Sequence, residues 1–190
     1  MAGDELVTSL DLPRAELSAE TEAYFEKCRE KLGLVPNVLI AYAFDEAKLR
    51  AFTEMYNELM LGPSGLSKLE RELIAVVVSA ANRCHYCIVA HGAALRQLSG
   101  DPILVDTIVA NWHAAELSDR HAAICAYASA VTLTPHLVGP DETRALHDAG
   151  FTDRDVWDIT AVAAFFNMTN RVATATKMRP NTEYYSAARG

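Results

Sequence analysis

The sequence predicts an all-α protein, and three observations support this fold class. Apolar residues recur at spacings of three and four, as in Leu49, Phe52 and Tyr56. Residues that favour helix starts precede several such segments, and glycines follow them. No segment has the two-residue alternation of apolar and polar side chains that is typical of a half-buried strand.

The ends of the first four predicted helices are defined by capping and turn residues. Ser18 is the N-cap of the first helix, and Gly33 follows its end. The Gly-Pro-Ser-Gly sequence at 62–65 breaks the chain before Ser67 and Glu70, which form a capping box. The predicted boundaries are about 18–31, 37–43, 46–61 and 67–81.

The fourth segment contains a β-branched run at 74–78, for which a strand is the competing interpretation. A helix is favoured because the capping box precedes the run and an alanine-rich sequence follows it without a turn. A helix that is apolar on nearly all sides is expected to be central and buried.

A short break at 82–83 separates this helix from a fifth one, which begins near Cys84 and ends before Gly100. Ser118 and Thr152 are good N-caps for later helices, and Gly150 is a good stop signal. The later helices are predicted at about 102–113, 118–133, 141–149 and 152–177.

Length and composition fit one domain over residues 1–190, with an N-terminal extension at about 1–17. The chain has a net charge of −8 and a pI near 5.2, which argues against nucleic acid or an anionic membrane as a partner. The polar N-terminus does not resemble a secretory signal, and the longest apolar run is too short to span a bilayer. These features predict a cytoplasmic protein.

The most specific chemical feature is a C-x-x-C pair, Cys84 and Cys87, with His91 four residues later and Glu72 on the preceding helix. In a reducing compartment, such a pair is typical of catalysis or metal binding rather than of a structural disulfide. A helix N-terminus favours a thiolate because its partial positive charge and free N–H groups stabilise negative charge. His91 can then transfer protons, and Glu72 can orient the imidazole.

Other interpretations of these residues remain open. The pair and a nearby histidine can bind zinc, but the second ligand pair of a typical structural site is missing. The two cysteines can also be apolar core residues, as is predicted for Cys28 and Cys125, and Glu72 can be a surface carboxylate. The supporting candidates are Tyr86, as a hydroxyl or a packing ring, and His85, which is expected to be exposed.

The spacing of Glu72, Cys84, Cys87 and His91 resembles the signature of the alkylhydroperoxidase D-like (AhpD-like) branch of the carboxymuconolactone decarboxylase family. The chain is most similar to the peroxidase-related enzyme subgroup, and the resemblance covers about residues 30–180. Further similar segments are LVPN at 34–37, LSKLERE at 66–72, AHGA at 90–93 and FFNMTNR at 165–171.

The resemblance implies an AhpD-like helical fold with the C-x-x-C at the N-terminus of a central helix. It implies a homo-oligomer, a trimer or a hexamer, that reduces a small hydroperoxide. In this scheme Cys87 is the attacking thiolate, Cys84 resolves the intermediate to a disulfide, and His91 and Glu72 relay protons. No cofactor is implied beyond this redox-active disulfide, which a lipoylated or thioredoxin-like dithiol protein would reduce.

One position departs from the family pattern. The best-known members have a histidine directly before the second cysteine, where this chain has Tyr86, and the histidine has moved to His85. The departure implies weak peroxidase turnover or a relay that uses Tyr86. The alternatives are a general disulfide oxidoreductase and a redox-sensing oligomer without turnover, and lactone decarboxylation is less favoured. Asn170 and Arg171, on the last long helix, are interpreted as packing or subunit-contact residues.

Overall fold

Ten α-helices and two short 3-10 helices make up the regular structure of residues 7–189, the part of the chain that this computed structural model describes. No strand occurs in this range, and the all-α prediction is confirmed. The helices are α1 (Ala19–Leu32), α2 (Asn37–Tyr42), α3 (Glu46–Leu61), α4 (Lys68–Ala81), α5 (His85–Ser99), α6 (Pro102–Asn111), α7 (Asp119–Leu133), α8 (Pro140–Asp148), α9 (Asp153–Ala175) and α10 (Glu183–Ser186).

The helix ends follow the predicted capping residues. The side chains of Ser18, Ser67, Ser118 and Thr152 each accept a backbone N–H at the start of a helix. The predicted helix at 102–113 ends earlier, and a 3-10 turn (Trp112–Ala114) follows it because Asn111 caps this turn. The 3-10 helix Pro135–Leu137 and α10 were not predicted, since a single turn is too short to show helical periodicity.

Helix α4 is the centre of the molecule and packs against α5, α7 and α9. Every residue from 70 to 79 is buried, including charged side chains of its first turns. The β-branched run is therefore helical, and the prediction of a central, buried helix is confirmed. Burial of apolar surface on all sides fixes the position of α4, and therefore of the functional groups it carries.

Truncating a core residue of α4 is expected to destabilise the fold. Ile74 is 0% exposed, so Ile74→Ala should lower the free energy of unfolding by about 2–5 kcal/mol through lost burial and a cavity. Ile103 is 77% exposed, and Ile103→Ala should change it by less than about 0.5 kcal/mol. Urea unfolding of both variants measures the difference. Equal losses would contradict the central placement of α4.

Irregular segments at both ends of the described range lie against the helices. The backbone N–H of Arg179 donates to the Val7 carbonyl, and that of Ser9 donates to the Thr176 carbonyl. Near the other end, the buried Arg96 of α5 donates to the carbonyls around α10. Residues 1–6 of the predicted N-terminal extension lie outside the described residues. Within 7–189, no helix combines the length and apolar character needed to cross a bilayer.

Candidate functional site

The site begins at the junction of α4 and α5. Arg83 adopts a left-handed conformation (φ 54°) directly after α4. Its N–H donates to the Ala80 carbonyl at 3.0 Å, and the Cys84 N–H donates to the Ser79 carbonyl at 2.9 Å. This is the Schellman pattern, in which the chain reverses and leaves the helix. Cys84 is also the N-cap of α5, so its backbone is held by both helices.

The two cysteines occupy adjacent positions on the first turn of α5, with Cys84 at the N-cap and Cys87 three residues on. Both are free thiols, and they are 0% and 3% exposed. They form one buried cluster with Tyr86, Ala173 and Met178. The C-x-x-C therefore lies at the N-terminus of α5, and bulk solvent scarcely reaches either sulfur.

The two thiols ionise very differently. The pKa of Cys84 is lowered to about 6, chiefly by the interaction of its sulfur with the Cys87 thiol. The Cys87 backbone amide, Thr174 and the charge of His91 lower it further, while burial opposes them. The pKa of Cys87 is raised because its thiol donates to Cys84 and because it is buried. The reduced pair therefore favours one negative charge, carried by Cys84.

This charge distribution predicts a specific pH dependence. The Cys84 thiolate is expected above pH about 6 and is lost as the pH falls through that value. The ultraviolet absorbance of the thiolate, measured as wild type minus Cys84→Ser, should therefore titrate with a midpoint near 6. A midpoint near the ordinary value of 9.0 would contradict the assignment. Cys28→Ser serves as the control and should leave the titration unchanged.

A histidine–carboxylate pair lies beside the thiols. The Nδ1 of His91 is 2.8 Å from the Oε2 of Glu72, and both side chains are largely buried. The interpretation of Glu72 as a surface carboxylate is therefore wrong. The imidazole meets the Phe166 ring edge-on at 4.6 Å, and the Tyr56 ring lies 6.5 Å away. Because Glu72 engages Nδ1, the Nε2 of His91 is the nitrogen available for proton transfer.

Helix α9 supplies a polar wall behind the thiols. Asn170 is buried, and its Nδ2 donates to the Ser79 hydroxyl at 3.0 Å. Its Oδ1 accepts from the Asn82 side chain, also at 3.0 Å. Asn170 and Thr169 interact with the Cys87 sulfur and partly offset the rise in its pKa. Asn170 thus packs helices together, as predicted, and also contacts the site, whereas Arg171 is exposed.

Sequence reasoning missed three contributors: Tyr56, Phe166 and Thr174. Tyr56 is on α3, and burial together with the charge of Glu72 raises the pKa of its hydroxyl. Phe166 belongs to the FFNMTNR segment that resembles the family, which was the available signal for it. Tyr56 and Thr174 fit ordinary helical patterns, so no local signal distinguishes them.

The two supporting candidates, Tyr86 and His85, bond to other segments of the chain. The hydroxyl of Tyr86 accepts the backbone N–H of Val38 at 2.9 Å, which attaches α5 to α2. His85 is exposed, and its Nε2 is 3.0 Å from the Tyr185 hydroxyl. Tyr86 shares the buried cluster of the two thiols, and its part in a proton relay stays a prediction.

The remaining cysteines lie outside the site. Cys125 is 0% exposed within the main core, and burial raises its pKa to about 12. Cys28 is half-buried against the small cluster around α1 and α2, and burial raises its pKa as well. Among residues 7–189, no group of three or more His, Cys, Asp or Glu side chains could hold a metal ion.

The fold and the site define a helical protein with a buried dithiol that is backed by a histidine–carboxylate pair. The model of the carboxymuconolactone decarboxylase family matches residues 29–130, more than half of the chain. The chain belongs to the carboxymuconolactone decarboxylase family, and its AhpD-like character is confirmed by the structural relatives.

Two solved structures are similar over nearly the whole chain. A peroxidase-related protein from Silicibacter sp. TM1040 is 55% identical, covers 100% of both chains and superposes with a TM-score of 0.94. A peroxidase-related protein from Ralstonia eutropha JMP134, described as an alkylhydroperoxidase AhpD core, is 38% identical over 97% of both chains, with a TM-score of 0.93. The debrominase Bmp8 shares the fold at 16% identity, 90% coverage of both chains and a TM-score of 0.75. Among curated proteins, no match was found.

Proposed function

We propose that this protein is a thiol-dependent hydroperoxide reductase. The observation that carries the proposal is the 2.8 Å contact between Glu72 and His91 beside two buried thiols at a helix N-terminus. A dithiol supplies two electrons, and the imidazole supplies a proton to a leaving alkoxide. The relatives described as peroxidase-related, one of them as an AhpD core, also support this function.

The first step is attack of a thiolate on the hydroperoxide. A sulfur–oxygen bond forms and the peroxide oxygen–oxygen bond breaks, so the sulfur is oxidised to a sulfenic acid and the peroxide is reduced. The departing alkoxide takes a proton and leaves as an alcohol, and His91 is the proposed donor. The resemblance assigned attack to Cys87. The charge of the reduced pair instead favours Cys84, and we propose Cys84 as the attacking sulfur.

The second step forms a disulfide between the two cysteines. The thiol of Cys87 attacks the sulfenic acid, a disulfide forms, and water leaves. An external dithiol then reduces the disulfide and is itself oxidised to a disulfide, which balances the cycle. We propose that this donor is a lipoylated or a thioredoxin-like protein. The predicted homo-oligomer, a trimer or a hexamer, stays a prediction.

The proposal is tested by peroxide consumption with purified protein and a dithiol donor. Organic hydroperoxide should disappear at a rate that depends on both protein and donor, and one disulfide should form for each peroxide reduced. Free dihydrolipoamide and reduced thioredoxin, assayed in parallel, identify the donor class. Absence of turnover with every donor would overturn the proposal.

A general disulfide oxidoreductase is a second candidate, and the low pKa of the first cysteine favours it. Such an enzyme exchanges disulfides and does not need to protonate an alkoxide from a peroxide. It therefore depends less on the contact between Glu72 and His91. Disulfide exchange that survives loss of the Glu72 carboxylate, together with absent peroxide turnover, would favour this candidate.

A further inference from the structure

A cleft of about 440 Å³ opens next to the thiol cluster, at the N-terminal end of α5. Its floor includes Tyr86 and Ala173, which belong to the same buried cluster as the two cysteines. Thr174, an exposed residue of the cleft, interacts with the Cys84 sulfur. Thr174 therefore connects the lining of the cleft with Cys84.

The cleft has a one-sided charge. The cations Arg83 and Lys177 line it, and among the described residues 7–189 its lining includes no Asp or Glu. This composition is unusual for a chain with a net charge of −8. Arg83 and Lys177 make no ion pair with a carboxylate among residues 7–189. Unneutralised cations in a concave surface attract anions.

Two of these cations occupy equivalent positions at two helix ends. Lys177 (φ 52°) follows α9 as Arg83 follows α4, and both have a left-handed backbone. The Lys177 N–H donates to the Thr174 carbonyl, and the Met178 N–H donates to the Ala173 carbonyl. These two bonds repeat the Schellman pattern at the end of α4. Each cation is followed by a buried residue of the thiol cluster, Cys84 or Met178.

The backbone of these positions favours glycine or asparagine, since a left-handed conformation strains a longer side chain. A cation also interacts favourably with the negative end of a helix, so helix stabilisation is the competing explanation for each residue. That explanation does not account for the convergence of both cations on one cleft beside the thiol cluster, where the described lining residues include no acid. An anion bound in the cleft accounts for all of these observations.

We propose that this cleft is an anion subsite that positions a carboxylate-bearing substrate for attack by Cys84. The cations Arg83 and Lys177 would bind the carboxylate, and the reactive end of the substrate would pass Thr174. This inference rests on the proposed function, because it specifies the substrate of that reaction as a carboxylate-bearing hydroperoxide. Neutral hydroperoxides would lack this contact and would be poorer substrates.

The test compares an anionic and a neutral alkylating agent, iodoacetate and iodoacetamide, on the reduced protein. The ratio of their rates at Cys84, measured by mass spectrometry, is divided by the same ratio at Cys28 in the same molecule. Arg83→Asn/Lys177→Asn should lower the Cys84 ratio about threefold or more, because two attractive charges are lost. Asparagine tolerates the left-handed backbone, so the fold should survive.

The control is Lys68→Asn/Arg144→Asn, which removes two exposed cations outside the cleft and away from Cys28, and should leave the ratio unchanged. Added salt should lower the wild-type ratio, which tests the proposal without any substitution. Arg83→Asn/Lys177→Asn could instead lower the thermal midpoint and leave the ratio of alkylation rates unchanged. This result would show that the two cations only stabilise the helix ends, and it would overturn the proposal. Absence of Cys84 labelling by either reagent would also overturn it, because the cleft would then give no access.

Turnover distinguishes this proposal from the proposed function. A carboxylate-bearing hydroperoxide and tert-butyl hydroperoxide are compared on wild type and on Arg83→Asn/Lys177→Asn. A preference for the carboxylate that the double variant loses supports both proposals. Turnover without such a preference overturns the subsite alone. An alkylation preference without any peroxide turnover overturns the peroxidase function and leaves the anion subsite standing.

Discussion

Cys84→Ser is expected to lower donor-dependent peroxide consumption by about 10³-fold or more. A serine hydroxyl does not ionise near neutral pH, so the nucleophile is lost. The side chain is 0% exposed and nearly isosteric with serine, so the fold should be retained. Peroxide consumption under a saturating donor measures the effect, and circular dichroism checks the helical content.

The comparison with Cys87→Ser identifies the attacking sulfur. If Cys84 attacks, Cys87→Ser should still reduce one equivalent of peroxide and should accumulate a sulfenic acid on Cys84, which a dimedone adduct reports. Sulfenic acid on Cys87 in the Cys84→Ser protein would instead restore the original assignment of attack to Cys87. Cys28→Ser is the matched control and should keep wild-type turnover.

Glu72→Gln is expected to reduce peroxide turnover by about 10²-fold. The amide keeps the shape of the carboxylate but loses one acceptor oxygen and its charge, so the imidazole is no longer oriented by a carboxylate at Nδ1. Because Glu72 and His91 are both largely buried, water replaces this interaction poorly. The measurement is kcat with a saturating donor, compared between wild type and Glu72→Gln.

Two controls separate this chemical effect from misfolding. His91→Asn should lose a similar amount of activity, and the double variant should lose little more, because the two residues act as one unit. His136→Asn replaces an exposed histidine of the 3-10 helix Pro135–Leu137 and should be neutral. Full activity of Glu72→Gln at an unchanged thermal midpoint would show that the pair is structural.

The fold was largely predictable because its signals are local. Ser67 and Glu70 determine where α4 starts, and Gly100 determines where α5 ends, whatever packs around them. The candidate site was predictable for the same reason. Cys84, Cys87 and His91 lie on one helix, and the helical repeat places them near one another.

The contacts between distant segments were not predictable. Asn170 lies far along the chain from Ser79 and Asn82, and only the packing of α9 against α4 brings them together. The position of the negative charge also depends on the folded structure. Cys84 and Cys87 have the same intrinsic acidity, and the hydrogen bond between their sulfurs, together with the burial of Cys87, makes them different.

The Cys84 N–H bonds to the last turn of α4, and its carbonyl accepts the first hydrogen bond of α5. Its backbone is therefore held by both helices. In the proposed cycle, conversion between dithiol and disulfide is therefore expected to rotate two side chains and to leave the surrounding helices in place. The oxidised and reduced forms would then present nearly the same surface, and a reductant that recognised shape alone would bind both forms about equally well. Discrimination has to come from contact with the sulfur–sulfur bond itself.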